Sequence, residues 1–305
     1  MVLDSLFPVF ALIVLGAVLK RLSLTTDAFL KTSDRLIYYI FFPLMLFWKI
    51  GGAKTSEGIP WAFIAAIIGA LCLIFLISAA AIPLLRITAF QAGTFSQSCY
   101  RFNTYIGMAI ILNAMGEAGV RDFGILVGFA IPLINVMAVS TLIWYSGTQY
   151  AVPERIRMTL RAVAANPLIL ACLAGIITAR FLDGFPRFIE NTFRLGAMVA
   201  LPMALLSIGG ALRFETARGH LQVSCIGAAI KLALFPFIGY VCMRVAGVSA
   251  ELIQTGMLFL ALPASTSIYV LSGQLNSDTQ LASATIVTST VLSFFSLSVV
   301  LVVFF

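Results

Sequence analysis

The chain has 305 residues, 61% of them hydrophobic and 10% charged, with a formal net charge of +7 and a mean hydropathy of +1.06. A soluble fold of this length needs a charged surface that 19 basic and 12 acidic side chains, thinly spread, cannot supply, so the surrounding solvent is lipid. The basic residues stand singly at the ends of apolar runs, which excludes a nucleic-acid face and marks them as topology determinants.

About 20 mainly apolar residues cross a hydrocarbon core as a helix. Segments that approach this lie at 2–20, 27–49, 60–84, 88–115, 123–149, 162–181, 190–212, 221–243, 250–273 and 279–304, which predicts an all-α integral membrane protein of ten transmembrane helices. The first lacks a basic leader and a small-residue cleavage site and is followed by Lys20-Arg21, so it reads as a span rather than a signal peptide. Short polar stretches such as Gly51 to Gly58 and Asp183 to Arg187 join the spans, with no room for a soluble domain. The five cysteines lie inside apolar segments, at no metal-ligand or redox spacing, and read as packing residues.

Ten Lys and Arg residues fall in the loops on the side of Lys20-Arg21 and of the stretch Glu154 to Arg161, against seven on the other side. The positive-inside rule makes the former side cytoplasmic and puts both termini on the non-cytoplasmic side of a multi-pass cell (inner) membrane protein.

Sliding the chain over itself by 159 residues pairs Pro8 with Pro167, Gly16 with Gly175, Arg35 with Arg194, Pro43 with Pro202 and Gly51 with Gly210. Five crossings per copy is an odd number, so a duplication inserts its second half upside down, as two inverted five-helix repeats. The first occupies 1–149, a short cytoplasmic linker 150–161, and the second 162–305.

In such repeats the substrate site lies where paired helices break near the midplane. The fourth span carries the polar run from Gln97 to Gly107, with Arg101, Asn103 and Tyr105 within it. The ninth carries Leu262 to Tyr269, where Pro263 is a helix breaker and Ser265, Thr266 and Ser267 are three hydroxyls. Pro263 can end one half-helix and Ser265 or Ser267 cap the next, whose free N–H groups suit an anion. The competing reading is a kinked helix whose hydroxyls bond back to their own carbonyls.

An unpaired charge in mid-bilayer costs roughly 2.5–3.5 kcal/mol on insertion scales. Arg101 and Lys231 both meet that cost. Arg101 either binds an anion or snorkels onto broken-helix carbonyls; Lys231, central in the eighth span, either pairs with an anion, titrates, or ties down a broken helix. None of the acidic residues lies deep in a span, which argues against a carboxylate-based cation antiport site and for an anionic substrate. Asn135 and Pro132 in the fifth span, and Thr288, Thr290 and Ser293 in the tenth, read as core.

The lone histidine, His220, sits in a loop, and there is no His-Glu-x-x-His motif and no intramembrane aspartyl pair. No catalytic residue, metal site or cofactor is expected, so the chain is not read as an enzyme. A channel, and a solute receptor on a transporter scaffold without net translocation, are the other classes that a polar midplane permits.

The stretches Pro8 to Lys20, Leu36 to Leu46 with Phe42-Pro43, Arg101-Phe102-Asn103-Thr104-Tyr105-Ile106-Gly107, Ala165-Asn166-Pro167-Leu168-Ile169, Leu201 to Gly210, and Ala261 to Leu271 span nearly the whole chain. Together they resemble the auxin efflux carrier family in its short prokaryotic form. That resemblance implies a scaffold of spans 1, 2, 6 and 7 and a transport domain of spans 3–5 and 8–10. It also implies broken helices 4 and 9 that cross at the midplane.

On that pattern Asn103 stands at the first crossover, Pro263 with Ser265 at the second, and Lys231 resembles a lysine common in the family's eighth span. The expected function is a secondary active carrier of small organic anions such as carboxylates, moving them by alternating access. The expected binding set is Arg101, Asn103, Tyr105, Pro263, Ser265 and Thr266, with Lys231 for coupling or countercharge. The expected partners are the anion, the lipid bilayer and a second copy in a homodimer through the scaffold, with no nucleic acid.

Overall fold

A computed structural model of the chain describes residues 2–52, 59–145, 152–181, 184–212 and 218–305. Lys54, Glu57, Tyr150, Asp183, Arg213 and Glu215, all in expected loops or the linker, lie outside those residues. Backbone groups in lipid must be satisfied within the chain, and among the described residues every regular element is a helix.

The helices are α1 (Val2–Arg21), α2 (Asp27–Leu36), α3 (Phe42–Gly51), α4 (Trp61–Leu84), α5 (Ala89–Tyr100), α6 (Thr104–Tyr145), α7 (Val152–Ala164), α8 (Pro167–Phe181) and α9 (Arg187–Ala211). There follow α10 (Leu221–Ala229), α11 (Phe235–Val245), α12 (Ala250–Leu260), α13 (Ser267–Gln274) and α14 (Thr279–Phe304). Among the described residues, six helical stretches are long and apolar enough to cross a membrane: α1, α4, α6, α9, the run Leu221–Val245, and α14.

Other stretches expected as spans are built from shorter pieces, and the run Leu221–Val245, the expected eighth, also contains a joint. The second is α2 and α3 joined by a π-helical turn, Ile37–Phe41, and the eighth likewise joins α10 to α11 through Ile230–Leu234. Each wide turn directly precedes a Phe-Pro pair, Phe42-Pro43 or Phe235-Pro236. A proline cannot donate to the preceding turn and its ring crowds that carbonyl, so the turn opens by one residue. The phenylalanine N–H then bonds five residues back, Phe42 to Ile37 and Phe235 to Ile230.

The sixth expected span begins at Pro167, five residues late. Asn166 starts it, its Oδ1 accepting from the N–H groups of Leu168 at 2.9 Å and Ile169 at 3.3 Å. Ahead of it α7 takes up most of the stretch expected as a linker. Pro153 and Glu154 in its first turn and Arg161 in its last are ordinary helix-end signals.

Within α6 the helix turns sharply at Gly116, whose φ of 65° and ψ of −151° only glycine adopts freely. This falls in the stretch expected to connect the fourth and fifth spans.

The chain divides into two compact units. The first comprises Met1–Pro60, Met108–Ile131 and Ala164–Ala211. In it α1 runs against α9, and α3 against α8. The approach is close because of glycine: a methyl on Gly16 would overlap the Leu206 carbonyl, and one on Gly209 the Ile13 carbonyl. Lys49 pairs with Glu117, and the Ser207 hydroxyl donates to Asp34. A recess of about 710 Å³ is lined mainly by apolar side chains, Phe47, Phe185, Pro186, Ile189 and Phe193, with Thr178 and Gly184 beside them.

The second unit comprises Trp61–Gly107, Pro132–Val163 and Leu212–Phe305. Helix α5 is its centre, and all nine residues from Ala92 to Tyr100 are buried. Thr94 ties it to the far end of the unit, with its hydroxyl 2.8 Å from that of Ser272, 2.9 Å from that of Ser277, and donating to the Asp278 carbonyl. Asp278 caps α14, its Oδ1 accepting from Gln280 and Leu281 N–H. Its other oxygen lies 3.4 Å from His220 Nε2, so the lone histidine belongs to a helix cap and a short 3-10 turn.

Candidate functional site

Two helix breaks meet in the second unit. Helix α5 stops at Tyr100 and α6 starts at Thr104, and α12 stops at Leu260 and α13 starts at Ser267. The intervening peptides pair with each other. Phe102 and Ala264 form an isolated antiparallel bridge, and the Asn103 N–H donates to the Pro263 carbonyl at 2.9 Å. The rings of Phe102 and Phe259 meet edge to face, 4.4 Å between centroids.

Broken helices leave donors and acceptors orphaned, and in a dry setting each costs several kcal/mol unless re-paired. In a continuous helix the Ala264 N–H would bond the Leu260 carbonyl. Here it donates instead to Ser289 Oγ at 3.1 Å. The Leu260 carbonyl takes the Lys231 ammonium at 2.8 Å, and the Ala261 carbonyl takes the Ser296 hydroxyl at 3.2 Å. Lys231 is fully buried, and its nitrogen also stands 4.7 Å from the centre of the Phe235 ring.

Asn103 opens α6. Its Oδ1 accepts from the N–H groups of Tyr105 at 3.1 Å and Ile106 at 3.2 Å. Those two donors require an acceptor, which fixes the amide orientation and leaves Nδ2 as its donor. That Nδ2 is buried with no partner, in a residue only 2% exposed. Thr290 Oγ1, on α14, is likewise buried without a partner.

Arg101 is the C-cap of α5 and is half-buried. Its guanidinium donates to Gln97 Oε1 at 3.0 Å and to Asn135 Oδ1 at 2.9 Å. Both amides are themselves buried, so the fork is held rigidly by two neutral acceptors.

The structure thus brings Asn103, Pro263 and Arg101 to the paired breaks, and Lys231 to the end of α12. Ser265 Oγ accepts weakly from the Ser267 N–H at 3.4 Å and lies 2.7 Å from the Ser267 hydroxyl. Thr266 is the N-cap residue of α13, without a side-chain cap bond, and Tyr105 contributes its backbone N–H to the Asn103 cap. Helix α12 ends at Leu260 with Ala261 as its C-cap, so Pro263 stands two residues beyond, where a proline cannot continue a helix.

Sequence reasoning passed over Ser289 and Ser296, placed Gln97 in the polar run without a role, and read Asn135 as core. Ser289, Ser293 and Ser296 are spaced i, i+4, i+7 on one helix face, a stripe that marks a face turned to polar groups.

These features define a helical membrane protein whose polar centre is a pair of re-bonded helix breaks. The chain matches the family described as "Membrane transport protein" over residues 1–301, and it belongs to that family, the family of the auxin efflux carriers. It is a membrane transporter, not an enzyme. It is also 26% identical, over 291 residues that cover 94% of this chain and 90% of the relative, to the "Putative malonate transporter" of Rhizobium meliloti (strain 1021).

Proposed function

We propose that the chain is a secondary carrier of small organic anions, carboxylates above all, that binds its substrate at the paired breaks. The observation that carries this reading is the buried, unpartnered Nδ2 of Asn103 at the N-terminal end of α6. A buried donor without an acceptor costs about 1–3 kcal/mol, and a carboxylate oxygen removes that cost. The half-helix N-termini at Thr104 and Ser267 add positive potential, and Ser265 adds a hydroxyl. The rigid fork of Arg101 suits a carboxylate and supplies countercharge. The relative's description as a malonate transporter is in keeping with this and makes malonate the first anion to try.

In this reading the chain crosses a cell membrane ten times, as two inverted five-span repeats, with both termini on the non-cytoplasmic side. Two glycine contacts support the repeat. The Gly16 carbonyl lies 3.6 Å from the position of a Cβ on Gly210, and the Gly175 Cα lies 3.5 Å from that of a Cβ on Gly51. Under the shift of 159 residues each contact maps onto the other. The second unit carries the anion by moving against the first, and the division of the chain into two compact units favours that arrangement.

The test is uptake of labelled malonate and other mono- and dicarboxylates into proteoliposomes, with and without a pH gradient and an imposed potential. Saturable uptake of one of them is expected. Stabilisation of the purified protein by a carboxylate that never accumulates would contradict carriage and favour a receptor. Flux that survives cross-linking of the two units to each other would contradict the moving unit alone.

A further inference from the structure

Each helix end at the two breaks carries the equivalent of about half a charge, positive where N–H groups are free and negative where carbonyls are. The breaks have two ends of each kind, so the dipoles by themselves cancel and favour no ion. In many transporters the carbonyl ends of unwound helices coordinate a coupling sodium ion.

In this chain a side-chain cation stands at each carbonyl end. Arg101 caps the C-terminus of α5 and turns its guanidinium back onto Gln97 in the last turn of that helix. Lys231, carried on the π-helical turn between α10 and α11, reaches across to the Leu260 carbonyl at the C-terminus of α12. The N–H ends, by contrast, carry neutral groups, Asn103 and Ser265. No acidic residue occurs from Gln97 to Gly107 or from Leu258 to Val270. Lys231 covers the carbonyl end of α12 and Arg101 stands beside that of α5 with its guanidinium on side-chain oxygens, whereas the N–H ends are capped by neutral groups alone.

We infer that Lys231 is a resident cation: its ammonium fills the carbonyl end of α12 that a coupling sodium ion would otherwise occupy, and so biases the paired breaks toward anions without added sodium. Resting on the anion-binding reading above, this makes Lys231 a positioning residue that acts through the helix end rather than by touching the anion. Lys231 lies within the wide turn that precedes Pro236, and from there its stem spans to Leu260.

The experiment measures malonate binding to the full-length purified protein by calorimetry, in sodium and in N-methylglucamine buffers of equal ionic strength. Wild-type affinity is expected to agree within about twofold in the two buffers, and Lys231→Met to weaken it by about tenfold or more, while Lys231→Arg, which keeps the charge, stays nearer to wild type. Sodium is expected to restore part of the affinity of Lys231→Met, because the carbonyl end is then vacant. That restoration is a readout a purely structural lysine would not give.

A sodium requirement in the wild-type protein would overturn the inference even if Lys231→Met failed to fold. A folded Lys231→Met protein that binds malonate like wild type would overturn it as well. If the wild-type protein binds no carboxylate at all, the anion reading itself falls and takes this one with it.

Discussion

The backbone N–H of Asn103 donates to the carbonyl of Pro263 at 2.9 Å, so the break in each helix supplies the hydrogen-bond partner for the break in the other. In an unbroken helix the Asn103 N–H would be spent on Cys99 in its own helix. Breaking both helices together lets two peptides pair in a dry interior and exposes two N-terminal helix ends there. Neither break is affordable without the other.

Ser289 is expected to hold this pairing. Removing its hydroxyl leaves the Ala264 N–H buried and unsatisfied, at a cost of about 1–3 kcal/mol. Ser289→Ala should lower the thermal unfolding temperature in detergent and reduce uptake. Ser293→Ala should change stability by less than about 0.5 kcal/mol, because that hydroxyl only bonds back to the Thr290 carbonyl of its own helix.

The first unit makes a separate prediction. Gly16→Ala and Gly209→Ala press a methyl against a neighbouring backbone carbonyl that cannot yield, and each should cost about 1–3 kcal/mol in an unfolding assay. A methyl on Gly69 meets nothing within 4 Å, so Gly69→Ala should be neutral or stabilising by up to about 1 kcal/mol.

Arg101 should not tolerate lysine. A single ammonium cannot satisfy Gln97 and Asn135 and also present a planar fork. Arg101→Lys is expected to weaken malonate binding by about tenfold, measured by calorimetry, with the unfolding temperature little changed. Equal affinity would remove Arg101 from the binding set.

Much of this was legible in the sequence because lipid simplifies the rules. Apolar length marks the helices, and Pro263 among three hydroxyls marks a break. The mid-span Arg101 and Lys231 mark places where something must offset a charge. The extent of the second break was not legible, because it depends on Ser289 and Ser296, whose spacing is visible but whose partners are distant in sequence. Gln97 stood in the polar run one turn before Arg101 without its partner being named, and Asn135 read as core because its partner Arg101 lies 34 residues away. The helix α7 was passed over because its charges read as a loop, although Pro153 and Glu154 are start signals.

The central claim is that Asn103 Nδ2 awaits an acceptor on the substrate, and Asn103→Asp tests it most directly. Aspartate caps a helix as well as asparagine does, so the cap should hold, while the buried donor becomes an anionic oxygen whose charge costs roughly 2.5–3.5 kcal/mol in mid-membrane. Malonate binding to the purified variant, measured by calorimetry beside its unfolding curve, is expected to fall by more than about a hundredfold while the protein still unfolds cooperatively, its stability lowered by no more than that cost. Binding within twofold of wild type in a folded Asn103→Asp protein would contradict the account and place the anion elsewhere.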